Sequence, residues 1–413
     1  MFLSSNLSPK RTAVAQPLTM SPAGADPGVP DRQPATARRR WYHHLVRDET
    51  GVVAVLVALV RGVGLLHPDF LATQNLLSTG RGAVYVGLLA IAAVFPLAMR
   101  EVDLSVVGVS VKDMVVGATL IRAGVNPWLT LPLVLGLCAL LGAVNGVVTT
   151  FARIPSFIVT LATALLYRGV ALAIANGKQI SDLPQQHRFF TLLGGNLFGV
   201  PTPILVTLVA ALALTVLFTR TRFGARVRAI GSNPEAAAFT GLPVDLVRIQ
   251  AMALSGLMAG ASGTLALAFF MAGDPTLGQG FELTAIAAAI IGGTPLAGGR
   301  GSVPGALVGA LILATVTSAL VFFRIPINWT SFATGGVILV AVAADTALRR
   351  YRASRIPSPG TGPTEPGQPD DERPGRLRRQ PDAGAGRQPV SWRPLAGPRA
   401  ETRKARAPAD ERR

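Results

Sequence analysis

Long, continuously apolar runs separated by short polar turns dominate this chain. They lie at about Gly51–Leu66, Ala83–Met99, from Ser105 to about Ile121, Asn126–Phe151, Phe157–Ala175 and Ile204–Phe218. Others follow at Ile249–Phe270, Leu283–Ile291, Val303–Phe323 and Asn328–Ala344. Apolar stretches of about 20 residues match the thickness of a bilayer when helical. In lipid only helices or closed barrels satisfy every backbone polar group, and barrel strands alternate with period two. These runs do not alternate. The predicted fold is an all-α polytopic integral membrane protein of about ten transmembrane helices.

The most informative polar interruption runs from Arg220 to Arg248, between two such runs. Arg220, Arg222, Arg226 and Arg228 crowd its first third, which places it on the cytoplasmic side. Gly231, Ser232, Asn233, Pro234, Glu235, Ala236, Ala237 and Ala238 follow. Asn233 or Ser232 suits a helix N-cap, and Pro234 suits its first turn. Glu235 complements the dipole, and Gly241 and Pro243 stop the helix. A short helix outside the bilayer is expected here. An even number of spans then puts both termini in the cytoplasm and the Asn176–Pro203 loop outside. The basic turn at Arg153 and the loop at Arg300 fall inside, so charge and parity agree.

Composition supports this frame. Half of the 413 residues are hydrophobic. The net charge of +17 admits nucleic acid as a partner, but much of the arginine sits in tails and in loops that flank spans. Positive-inside topology and anionic lipid explain that placement, so the bilayer is the expected partner and nucleic acid is not. Residues 1–49 and 346–413 are rich in Pro, Gly, Ala and Arg without periodicity, and read as disordered cytoplasmic tails around a permease domain at 50–345. No apolar core follows a charged start, so no cleavable signal peptide is expected. Cys138 is the single cysteine, and His43, His44, His67 and His187 show no metal-ligand spacing. No GxxxxGK[ST] phosphate loop and no nucleophile–base–acid arrangement is present. Neither a cofactor nor enzymatic chemistry is expected.

Several blocks carry polar groups into apolar surroundings. Glu101-Val102-Asp103-Leu104-Ser105 ends one span, with Gly108, Lys112 and Asp113 beyond it. An acid here is costly in lipid and should face protein or a polar cavity. Lys112 and Asp113 are adjacent, so on a helix they require separate partners. Asn145 lies between Gly142 and Gly146, small residues that favour close helix packing. Pro155-Ser156-Phe157-Ile158-Val159-Thr160-Leu161 leads to Tyr167-Arg168-Gly169. Phe281-Glu282-Leu283 opens a short run that ends in Gly292-Gly293. Arg168 in a span calls for a partner such as Asp103 or Glu282.

The order of these blocks, with Thr221 to Leu242 between them, resembles the ribose/xylose-type permeases of ABC importers, over roughly Leu66–Val342. Glu101, Val107, Lys112 and Asp113 depart from the family's Gly-Ile-Asp-Leu-Ser-Val-Gly-Ser signature. The resemblance implies a membrane subunit that moves a monosaccharide across the inner membrane by alternating access. Its implied partners are a separate ABC ATPase, an external substrate-binding protein and a second permease copy. It assigns ATPase coupling to Gly231, Ser232, Asn233, Glu235, Ala236, Ala237 and Gly241, with Ala237 at the docking contact. It makes Asp103, Ser105, Asn145, Thr160, Arg168 and Glu282 candidates for the substrate pathway. An ion-coupled secondary transporter is the rival reading, supported by Asp103, Lys112, Asp113 and Arg168. A nucleoside or a sugar-like signalling molecule is an alternative ligand.

Overall fold

A computed structural model describes residues 40–326, 329–337, 339–340 and 343, with side chains from residue 50 onward. Nearly all of the two expected tails, and part of the expected tenth span, lie outside the described residues. The chain forms α1 (Arg40–Leu66), α2 (Thr73–Ala98), α3 (Val106–Arg122), α4 (Pro127–Phe151) and α5 (Ser156–Ile174). A short α6 (Arg188–Leu193) and a two-stranded hairpin, β1 (Asn196–Leu197) and β2 (Val200–Pro201), precede α7 (Thr202–Arg220). Then come α8 (Arg222–Ser232), α9 (Pro234–Phe239), α10 (Val244–Phe270), α11 (Phe281–Ile291) and α12 (Val303–Phe322).

Among the described residues, six helices are long and apolar enough to cross a membrane: α2, α4, α5, α7, α10 and α12. The apolar part of α1, Thr50–Leu66, and α11 are shorter. The 17-residue α3 carries Lys112 and Asp113 and also falls short of that length. The expected loop at Asn176–Pro203 is not wholly irregular, since it holds α6 and the hairpin. α1 begins at Arg40 rather than near Gly51.

Burial explains why the apolar runs show little periodicity. Every residue of α2 and its cap from Val86 to Met99 is buried, so all sides of this helix are apolar. α4, α5 and α7 instead turn Leu133, Leu140, Leu165, Leu166, Val209 and Leu212 outward. Apolar side chains facing away from the protein are what lipid solvates. Beneath them α4 and α10 cross at backbone contact. A Cβ on Gly142 would overlap the Met252 carbonyl, and one on Gly256 would overlap the Cys138 carbonyl. Small residues let the backbones meet and gain dispersion contacts where no hydrophobic drive exists between helices.

The chain is broken between α2 and α3. Pro96 lies in the last turn of α2, Arg100 takes a left-handed φ of 67°, and helix resumes only at Val106. Backbone groups freed by the break need other partners. Side chains of α5 supply them. Ser156 Oγ accepts from Val102 N at 3.0 Å, and Thr160 Oγ1 accepts from Leu104 N at 3.1 Å.

Candidate functional site

Four of the six expected pathway residues come together at this break. Asp103 Oδ1 accepts from Ser105 N at 2.9 Å and from Ser105 Oγ at 2.6 Å. Ser105 Oγ accepts in turn from Asn145 Nδ2 at 2.7 Å. Asn145 Oδ1 accepts from the Tyr167 hydroxyl at 3.1 Å. Thr160 holds the backbone beside them, within reach of the Val102 and Ser156 carbonyls. Asp103, Ser105, Asn145 and Thr160 are all buried. The knot ties the α2–α3 link to α4 and α5, and leaves Asp103 Oδ2 buried without a described hydrogen-bond partner. The hydrogen bonds among these residues fix the α2–α3 link against α4 and α5.

The other two candidates stand apart. Arg168 is half-exposed and donates to the Thr276 carbonyl at 3.2 Å. No described ion pair joins it to Asp103 or Glu282, contrary to expectation. Its long side chain reaches the loop before α11, where a carbonyl is nearer than either acid. Glu282 sits in the first turn of α11, where the helix dipole favours an acid. Lys112 and Asp113 do take separate partners. Lys112 Nζ lies 5.4 Å above the Tyr167 ring. Asp113 is buried and accepts from Thr264 Oγ1 at 3.0 Å and Cys138 Sγ at 3.4 Å.

Replacing Thr160 with valine removes the acceptor of the part-buried Leu104 N–H, at a cost of about 1 kcal/mol. Thr160→Val should lower the melting temperature in detergent, and Thr160→Ser should restore it.

The second centre is the α8–α9 element. Thr221 caps α8 by accepting from Gly224 N at 3.2 Å. Val227 and Ile230 are buried while Arg222 and Arg226 face outward. Arg228 donates to the Phe218 carbonyl and lies 5.2 Å above the Phe218 ring. Burial pulls its guanidinium pKa down from the ordinary value. Asn233 caps α9 by accepting from Ala236 N at 3.0 Å, Pro234 opens the helix, and Gly241 follows it at φ 79°. The expected short helix is thus present, but α8 before it was not anticipated. Ala237 differs from expectation. It is buried against the protein's own core, whereas Glu235, Ala236 and Ala238 face out. Phe239 is 92% exposed at the end of α9. Gly231 is needed because a Cβ there would overlap the Ala98 carbonyl.

Residues 75–342 match the family model for the permease component of branched-chain amino acid transport systems. The L-arabinose ABC transporter permease AraH of Azospirillum brasilense is 35% identical over 339 residues, covering 81% of this chain and 97% of that protein. The ribose import permease RbsC of Bacillus subtilis is 34% identical, covering 75% of this chain and 96% of that protein. The xylose permease XylH of Escherichia coli is 33% identical, covering 72% and 91%. The chain belongs to the sugar-type ABC-importer permeases.

In this permease hydrogen bonds and an ion pair at the end of α2 connect the two centres. Arg100 donates from Nε to the Gly231 carbonyl and from Nη2 to the Ser232 carbonyl, each at 2.7 Å. It thereby satisfies orphan carbonyls at the end of α8 with a favourable charge. Gly299 N donates to the Ala98 carbonyl at 2.8 Å, bringing the loop before α12 to the same point. Glu101 pairs with Arg248 of α10 at 2.7 Å. Arg100 thus ties the end of α8, and Glu101 ties α10, to the segment that precedes the Asp103 knot.

Proposed function

We propose that this multi-pass permease is the membrane subunit of an ATP-driven monosaccharide importer in the inner membrane, and that α9 is where a separate ATPase subunit pushes on it. The observation that carries the reading is a short capped helix, directly after the α8 end that Arg100 holds, ending in an exposed phenylalanine. Phe239, Glu235 and Ala238 form the outward face of this helix beside a basic stretch, and that face is what a docking partner would meet. The relatives named for L-arabinose, ribose, D-allose and xylose support a monosaccharide as the cargo. About ten spans, with both termini and α8–α9 cytoplasmic, remain the topology this reading favours. A second permease copy and an external binding protein complete the assembly. ATP-driven closure of the ATPase pair would push α9 and open the permease pair outward.

The residues that touch the ATPase are revised accordingly. Phe239, Ala238 and Glu235 offer the outward face, while Ala237, Gly231 and Asn233 build the element. Phe239→Ala should reduce co-purification of the ATPase by about tenfold, because buried aromatic anchors commonly carry more than 1 kcal/mol of an interface. Ala238→Glu should also weaken it, whereas membrane expression stays at the wild-type level. ATPase retention by Phe239→Asp with normal uptake of labelled sugar would remove α9 from the coupling role.

A further inference from the structure

A cavity of about 710 Å³ opens between α2, the start of α11, α12 and residues 330–335. Its volume lies within the range of small-molecule sites, roughly 300–1,000 Å³. None of the residues expected to form the substrate pathway lines it. Its lining has a distinctive chemistry. Asn75, Ser78 and Thr79 follow one another along a single face of α2, at the spacing that makes helical neighbours. Thr317 and Ser318 face them from α12, and Thr284 joins from α11. Thr330, Ser331 and Thr334 add hydroxyls from the last described segment, and Phe281 and Phe322 add apolar ring surface. Among the described lining residues none is acidic, basic or histidine.

Each part of that composition selects. A wall that faced only lipid would gain nothing from hydroxyls and an amide drawn from four segments. A passage for a charged solute would leave that charge without a counter-charge in low dielectric, at high cost. Neutral hydroxyls and amides beside aromatic rings suit a solute with many hydroxyls of its own and an apolar C–H face. The polar wall is also in register across two helices. Thr79 Oγ1 donates to Ser318 Oγ at 3.0 Å, and Ser318 Oγ lies 3.4 Å from Asn75 Oδ1. These bonds can be exchanged for bonds to a passing hydroxyl with little net change. Thr317 and Thr284 donate to carbonyls of their own helices, at Leu313 and Gly280, which leaves their oxygens free to accept.

We propose that this cavity is the chain's own portion of the translocation route and that it accepts a neutral polyol of monosaccharide size. The proposal rests on the sugar-import reading above. It places the pathway at the face shared by α2, α11 and α12.

The test uses the full complex of permease, ATPase and binding protein in liposomes, with labelled D-ribose, L-arabinose and D-xylose as probes. Thr317→Cys and Thr79→Cys are made in a Cys138→Ser background and treated with a charged, membrane-impermeant thiol reagent during ATP turnover. Reaction is expected at both sites, with uptake falling by about tenfold, while Leu165→Cys on the apolar outer face stays unlabelled. Thr317→Val and Ser318→Ala should change the uptake ratios among the three sugars by roughly threefold, with ATPase co-purification unchanged. No reaction at either cysteine overturns the proposal, and so do wild-type rates and ratios in both hydroxyl variants. If the unsubstituted complex carries none of the three sugars, the monosaccharide reading fails instead. The labelling arm then still decides the cavity, since reaction supports a route for another neutral solute and its absence overturns one.

Discussion

Gly231→Val should reduce uptake by about a hundredfold while leaving the spans inserted. The added carbons have nowhere to go. A Cβ alone overlaps the Ala98 carbonyl and comes within 2.7 Å of Gly299 N. That carbonyl and that amide are bonded to each other, so neither can step aside without breaking the link between α2 and the loop before α12. The less costly response is for α8 to move off α2. That motion pulls the Gly231 and Ser232 carbonyls away from Arg100 and displaces α9 with them. Insertion depends on the apolar spans, which are untouched. Membrane content should therefore match wild type, with sugar uptake and ATPase co-purification both lost. Gly231→Ala should fall between the two. Normal uptake in Gly231→Val would mean that the α2–α8 contact plays no part in transport.

What could be read in advance followed from local rules. α5 and α7 lie within a few residues of the expected Phe157–Ala175 and Ile204–Phe218, because continuous apolarity and flanking Pro or Arg mark span ends. The α9 cap at Asn233 and the divergence of Lys112 and Asp113 were legible for the same reason, since capping and helical spacing act over four residues or fewer. The inward face of Ala237 was not legible. A helix of six residues shows less than two turns, too few for a stripe to reveal its buried side. α8 was hidden differently. Its arginines dominate the stretch, yet Phe223, Val227 and Ile230 recur at helical spacing. The apolar period, rather than the charge, was the signal.

Long-range arrangements were the least accessible. The cavity draws hydroxyls from segments more than two hundred residues apart, and each Thr or Ser looks locally like a residue bonding its own helix. Asp103, Ser105, Asn145 and Thr160 were rightly singled out as polar groups needing partners. Which of them bond to one another depends on contacts between segments forty or more residues apart, and sequence gives no measure of that.

The pair formed by Glu101 and Arg248 should prove to be a coupling device. Glu101 stands where the resembling signature has glycine. Its side chains are only 14% and 23% exposed, and the contact is 2.7 Å. Removing one partner of a buried pair costs about 3–5 kcal/mol, and partial exposure reduces that to about 1–3 kcal/mol here. Glu101→Arg and Arg248→Glu should each therefore lower sugar uptake by about tenfold or more. They should do so by raising the ATP hydrolysed per sugar moved, because α10 no longer follows residues 100–101 when α8–α9 moves. The double exchange restores an ion pair at the same place and should recover most of the coupling. Recovery should stop short of wild type. Asp245 lies 3.6 Å from Arg248 on the same helix face, and a glutamate at 248 would meet it as a like charge. Adding Asp245→Asn to the double exchange should remove that residue of loss. The discriminating measurement is the ratio of ATP hydrolysis to uptake in proteoliposomes, alongside the melting temperature of each variant. If the single exchanges lower the melting temperature but leave that ratio at the wild-type value, the pair merely holds the fold and does not carry motion from α9 to the Asp103 joint.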